Sequence, residues 1–136
     1  MIPYCNAHGI GLIPWGPLHA GDLARPVDAT SARKEATKGS IYERKLKETD
    51  VAIIDRVKEV AEKKGWTMGQ VALAWIDKKV SSPIVGISSV RLPLSWEDAS
   101  LSPNARYVVD QVKRLDENIL VEKDLTEEEV KFLEEP

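Results

Sequence analysis

Two short apolar runs are all that this sequence offers as parallel β-strand. The first is Gly9-Ile10-Gly11-Leu12-Ile13-Pro14-Trp15, and the second is Pro83-Ile84-Val85-Gly86-Ile87. Each is apolar at successive positions, the pattern of a strand buried on both faces of a parallel sheet. Pro14 has no amide hydrogen and is expected at the end of the first strand. Two strands do not make a stable sheet by themselves. The chain has 136 residues, room for one ordinary domain, whereas a complete (β/α)₈ barrel takes about 250.

Between the runs lies a long polar connection, roughly residues 16–49, rich in Gly, Ser, Thr and Ala. It is locally basic: residues 24–48 hold seven Lys or Arg against four acids, 7 − 4 = +3. Two helices follow. One is expected over about residues 50–64, with Ile53 or Ile54, Val57, Val60 and Ala61 on its apolar stripe, Thr49 or Asp50 as N-cap and Gly65 as C-cap. The next opens on Thr67-Met68-Gly69-Gln70, a capping-box pattern, and repeats Met68, Val71, Ala72, Trp75 and Ile76 at helical spacing. Lys78 and Lys79 close it at the negative end of its dipole. Beyond the second strand, residues 91–103 have no period, and helical spacing returns at Val108, Val112, Leu115 and Ile119. A last helix begins near Thr126, again with a capping box, and Val130 and Leu133 form its apolar side. The order is that of the end of an α/β fold.

Several function classes drop out. Net charge is −3, which argues against a general nucleic-acid binder. Cys5 is the sole cysteine, so no internal disulfide can form. No basic leader with a long apolar run opens the chain, and its longest apolar stretch is far too short to span a bilayer, so a cytoplasmic protein without membrane contact is expected. There is no Walker loop, no Gly-rich dinucleotide fingerprint after a strand and no His-Glu-x-x-His, and a metal site is not expected.

Two places carry functional geometry: Trp15-Gly16-Pro17-Leu18 and Gly86-Ile87-Ser88-Ser89, each at the carboxyl end of a strand. Parallel α/β folds bind ligands at that edge. Glycine lets backbone amides approach an anion, serine adds hydroxyl donors, and Trp15 can stack on a planar ring. A plain turn with Trp15 in the core accounts for the first equally, and an N-cap pair for Ser88-Ser89.

The run from Tyr4 through Leu18, continued by Gly21 and Leu23, resembles the seventh strand and following loop of the aldo-keto reductases. Residues 66–75 resemble that family's helix before the eighth strand, Pro83 to Ser89 the eighth strand, and Leu125 to Pro136 the C-terminal helix. The likeness is closest to fungal-type members of the aryl-alcohol dehydrogenase and versiconal hemiacetal acetate reductase branch. It implies about the last two strands and closing helices of a (β/α)₈ TIM barrel, an incomplete one. It also implies NADP(H) as cofactor, a small carbonyl compound as substrate and, from the branch alone, a role in fungal secondary metabolism. Carried over by position, Trp15 stacks on the nicotinamide, Gly16, Pro17, Leu18 and Gly21 lie over the pyrophosphate, and Ser88 helps hold the adenosine 2′-phosphate, with Gly86 and Ser89 beside it as further cofactor-binding residues. Gly16 stands where serine is usual, with loss of one side-chain donor.

Two departures stand out. The family motif runs directly from the eighth strand into its helix, but here residues 90–111 intervene before Val112-Lys113-Arg114-Leu115-Asp116-Glu117-Asn118. Excising them leaves Gly-Ile-Ser-Ser-Val-Lys-Arg-Leu-Asp-Glu-Asn unbroken, with Arg114 placed for the 2′-phosphate and Glu117 and Asn118 for adenine. The segment reads as foreign to the fold, a translated intron, since a Val codon can begin with a GT donor and a Gln codon can be a CAG acceptor. A natural insertion lengthening the helix is the rival. Second, the family's catalytic Tyr, Lys, Asp and His lie on earlier strands and have no counterpart here, so no catalytic residue is assigned and the chain is expected to begin inside the barrel. A catalytically inactive remnant or an interaction module is the alternative function.

Overall fold

The computed structural model describes residues 1–41, 43, 45–86 and 123–135. The expected segment 90–111, and the helical spacing from Val108 to Ile119, lie outside the described residues.

The core is helical. Helix α1 spans Ile2–Ala7, a 3₁₀ turn spans His19–Ala24, and α2 spans Ala32–Thr37. Helices α3 (Glu48–Lys64), α4 (Met68–Asp77) and α5 (Glu127–Glu134) follow. Ile54, Val57, Val60 and Ala61 of α3 pack with Met68, Val71 and Ala74 of α4 and with Leu125 and Leu133. Their spacing on each helix is that of one apolar face, as the sequence expects. Helix α4 exceeds that expectation: Gly69, Gln70 and Leu73 are buried as well, so nearly all of its circumference is covered.

The helix ends follow local chemistry. In α4 the Thr67 hydroxyl accepts from the Gln70 amide (3.2 Å) and the Gln70 side chain accepts from the Thr67 amide (3.0 Å). Thr126 and Glu129 repeat this reciprocal cap on α5. Gly65 ends α3 at φ +65°, where the Gly65 amide reaches the Glu62 carbonyl and the Trp66 amide the Ala61 carbonyl, a Schellman closure. The N-terminus of α3 differs from expectation. Its cap is Lys47, not Thr49 or Asp50. Asp50 instead sits three residues in and accepts from the Lys47 amide at 2.9 Å, so its carboxylate serves the cap from inside the first turn.

The long connection is not structureless. Ser31 caps α2 by accepting from the Lys34 amide at 3.1 Å. Leu23, Val27 and Leu46 pack against the core as well, fastening the connection at three points.

The two strand candidates lie side by side but make one parallel bridge, Trp15 with Ile84, and no strand is formed among the described residues. The Ile84 amide donates to the Pro14 carbonyl at 2.9 Å, and the Ser81 and Ser82 amides both donate to the Leu12 carbonyl. Burial on both faces is also overturned. Leu12, Pro14, Pro83 and Val85 are half-buried, while Ile13 (67%), Trp15 (84%) and Ile84 (54%) are exposed. Residues of like parity share a face in extended chain, so one face looks toward the helices and the other is bare. The physical reason is twofold. Pro14 and Pro83 cannot donate to a ladder, and among the described residues no third segment pairs beside these two. No helix among the described residues is long and apolar enough to cross a membrane.

Candidate functional site

The Trp15–Ile84 bridge sets the ends of the two segments together. The chain leaves the first segment through Gly16 and the second through Gly86, so the two motifs expected to carry function start from adjacent points of one edge. Parallel alignment brings this about, because both segments then exit in the same direction.

Gly16 stands at φ +67°, a left-handed conformation open to glycine, and the His19 amide closes the turn on its carbonyl at 3.0 Å. A Cβ placed on Gly16 or on Gly86 would meet nothing within 4 Å among the described residues, which leaves space beside the backbone there. Pro17 and Leu18 are half-buried beneath the turn. His19 (φ +50°), Ala20 (φ +57°) and Gly21 (φ +100°) are left-handed in succession. The Gly21 and Leu23 amides both return to the Leu18 carbonyl, at 2.9 and 3.3 Å. The Trp15 indole is exposed on the bare face, available for stacking on a planar ring and not, as the plain-turn alternative has it, in the core.

Of the expected site residues, Trp15, Gly16 and Gly86 are thus brought together at one edge, and Pro17, Leu18 and Gly21 lie in the turn that follows it. Ser88, Ser89, Arg114, Glu117 and Asn118 lie outside the described residues. Among the described residues no group of three or more His, Cys, Asp or Glu is placed to hold a metal ion. His8 is stacked on Tyr4 with centroids 4.1 Å apart, on the side of α1.

The second segment is delivered to this edge by a turn that the C-terminal residues clasp. Lys78 meets Asp124 at 2.6 Å, Lys79 meets Glu134 at 2.6 Å, and Lys64 meets Glu129 at 3.1 Å. The hydrogen bond from Lys78 holds the Asp124 carboxyl below its usual range. Lys79, helped by the Trp75 indole, does the same for Glu134. For Glu129 burial pushes upward, but the Thr126 amide and Lys64 outweigh it and the net shift is downward. Sequence reading expected Lys78 and Lys79 only as dipole-end charges. Their partners lie 46 and 55 residues further on, a pairing no local pattern announces.

The aldo/keto reductase family model matches residues 1–119. An aldo-keto reductase of Fusarium vanettenii is 40% identical over 139 residues, covering 99% of this chain and 31% of that protein. The versiconal hemiacetal acetate reductase of Aspergillus parasiticus is 39% identical over 141 residues, covering 100% of this chain and 35% of that protein. A Schizosaccharomyces pombe protein named for aryl-alcohol dehydrogenase is 38% identical over 138 residues, covering 100% and 33%. The chain spans about a third of the length of these relatives.

Proposed function

Because the chain belongs to the aldo/keto reductase family, we propose that its paired segments form the cofactor-facing edge of an NADPH-dependent carbonyl reductase of (β/α)₈ barrel type. The observation that carries this is the Trp15–Ile84 bridge, which puts the stacking surface of Trp15 and the open backbones of Gly16 and Gly86 on one edge. These residues fit a dinucleotide: a planar ring on the indole, and phosphates against backbone that no side chain of the described residues crowds.

In this reading Trp15 orients the nicotinamide, and Gly16, Pro17, Leu18 and Gly21 form the turn over the pyrophosphate. Ser88 and Arg114 hold the 2′-phosphate, Gly86 and Ser89 line the cofactor beside them, and Glu117 and Asn118 meet adenine. The cofactor supplies a hydride to the carbonyl carbon of an aldehyde or ketone, giving the alcohol. The proton must come from a general acid, and no residue of this chain is assigned that role. Likeness to the versiconal hemiacetal acetate reductase favours a substrate of fungal secondary metabolism, and the single thiol of Cys5 suits the reducing cytosol. Residues 90–111 are read as foreign to the family fold.

The test is a titration of the purified chain with NADPH, followed by amide NMR shifts, together with an assay of NADPH oxidation in the presence of an aromatic aldehyde. Weak binding that shifts the amides of Trp15 to Gly21, with no oxidation, is expected. Absence of binding overturns the cofactor reading, and turnover overturns the statement that the catalytic groups are missing.

The bare face of Ile13, Trp15 and Ile84 favours a second reading, an interaction module that covers this face with another protein. An elution volume that holds constant over a wide concentration range, with those side chains remaining solvent-accessible, would count against it.

A further inference from the structure

We infer that the outer backbone edge of residues 11–15 pairs with the same edge of a second copy of this chain, antiparallel and about a two-fold axis at Ile13. The inference goes beyond the cofactor reading and does not depend on it.

Three observations carry it. First, the edge is open and lacks no donor. In extended chain the backbone groups of successive residues point to opposite sides. Leu12 and Pro14 turn toward the second segment: the Leu12 carbonyl accepts from the Ser81 and Ser82 amides, and the Pro14 carbonyl from the Ile84 amide. Gly11, Ile13 and Trp15 therefore face the other way, and their amides and carbonyls make no hydrogen bond among the described residues. All three are exposed. Pro14 lies at an inward position, so its missing N–H takes nothing from the outer edge. The second segment is the reverse: Ile84 turns inward and Pro83 outward, and that edge lacks a donor. An unpaired row of backbone groups, free of proline and charge, is a template for another strand.

Second, the segment is complementary to itself in one register. With Ile13 opposite Ile13 of the second copy, Trp15 falls opposite Gly11 and Gly11 opposite Trp15, since both lie two residues from the axis. These are hydrogen-bonded pairs, each exchanging both N–H···O contacts. Their side chains share the bare face, so the Trp15 indole takes the room that the opposing glycine leaves, and the two Ile13 side chains meet as a β-branched cross-strand pair. Residue i meeting j while j meets i is what a two-fold interface requires.

Third, charge and area suit a second copy. Residues 9–18 include no charged side chain, so the axis brings no like charges together. Lys78 and Lys79, which line the groove beside Gly9 to Gly11, are neutralised by Asp124 and Glu134. Ile13 is 67% exposed and Trp15 84%. Pairing would bury on the order of 1,000 Å² over the two copies, the lower bound of a specific interface and the scale of a weak, concentration-dependent dimer.

The experiment is sedimentation equilibrium of the full chain from about 10 μM to 1 mM, a span that brackets weak association, beside Ile13→Lys, Ile13→Glu and their equimolar mixture. NADPH is left out, because Trp15 cannot stack on a nicotinamide and on Gly11 of the second copy at once; failure of the pairing therefore leaves the cofactor reading untouched. The unaltered chain is expected to approach twice the mass of one chain at the upper end. Each single variant sets like charges opposite each other across the axis and should weaken association by about tenfold, and the mixture should recover it, because Lys then faces Glu. A mass constant at one chain overturns the inference. Fast exchange of the Gly11, Ile13 and Trp15 amides would then leave the edge to an extended peptide of another protein, and slow exchange would place its cover within the chain. Association that either variant leaves intact, or that the mixture does not recover, overturns it too, since another surface or register is then in use. Should a variant fail to fold, the unaltered chain decides: a rise in mass without concentration-dependent shifts of those three amides overturns the inference.

Discussion

Leu12 and Ser81 hold each other through both backbone groups of one residue: the Leu12 amide donates to Ser81 Oγ at 3.0 Å, and the Ser81 amide donates to the Leu12 carbonyl at 3.0 Å. They are 69 residues apart in the chain. The pair acts as a register pin, set three residues before the Trp15–Ile84 bridge on both segments. Ser81→Ala removes one bond and should cost about 1 kcal/mol. Gly11→Ala would bring a Cβ to 3.2 Å from the same hydroxyl and force it to turn away. Its cost should therefore be smaller when Ser81 is already alanine. A double-mutant cycle by urea denaturation reads this coupling, and strict additivity would contradict it.

Acid should loosen the clasp of the C-terminal residues. Asp124, Glu129 and Glu134 all have carboxyls below their ordinary values of 3.8, 4.5 and 4.5 in the folded chain. A carboxyl depressed by folding stabilises the fold fully above its unfolded-state value and loses that stabilisation as pH falls through its folded value. Thermal midpoints are expected to hold near neutrality and to fall from about pH 5 downward. Lys78→Met with Lys79→Met should flatten that fall by removing the partners of Asp124 and Glu134. An acid profile identical to that of the unaltered chain would show that these pairs are not its source.

Ala20 is left-handed without being glycine, at φ +57°. Ala20→Gly relieves that conformation and should raise stability by roughly 1 kcal/mol, net of the added freedom of the unfolded chain. Differential scanning calorimetry is the measurement, and a lowered midpoint would mean that the turn is held by something other than its backbone preference.

Removing residues 90–111 should tighten NADPH binding, because Arg114, Glu117 and Asn118 would then follow Ser88-Ser89 at the family spacing. The gain expected is about tenfold, the scale of one recovered charge-assisted contact to phosphate. Equal affinity with and without the segment would favour a natural insertion. A transcript that retains the segment under all conditions would exclude a translated intron.

Sequence and structure agree where the deciding interactions are local. The reciprocal caps at Thr67–Gln70 and Thr126–Glu129, and the glycine closure at Gly65, each involve residues within a turn of one another, and all three form as read. Helix α1 is the exception among local features: Ile2–Ala7 carries no apolar period, and Pro3 near its start is its main signal. Burial of the strand candidates was not legible, since it depends on what pairs beside them and not on their own apolar content. The edge containing Trp15, Gly16 and Gly86 was legible through the rule that parallel segments exit together. The contact of Arg25 with Gly21 was not, because it turns on a side-chain direction four residues beyond a turn.

Residues 123–135 are fastened to the rest at many separate points, among them the ion pairs of Lys78 with Asp124 and Lys79 with Glu134. Leu125 (1%) and Leu133 (9%) are sunk in the core, and Lys64 reaches both the Glu129 carboxylate and the Asp124 carbonyl. By contrast, residues 9–11, 13 and 15–16 are exposed and are tied mainly through Leu12 and Pro14. Partial opening therefore has an order that does not follow position along the chain. Amide protons of residues 127–134 should exchange as one cooperative unit with α3 and α4, whereas those around the Trp15 turn should exchange first, through fluctuations that leave the helices intact. The edge assigned to the ligand is a weakly protected part of the described fold, so a bound ligand there would add order that the protein itself supplies only sparingly.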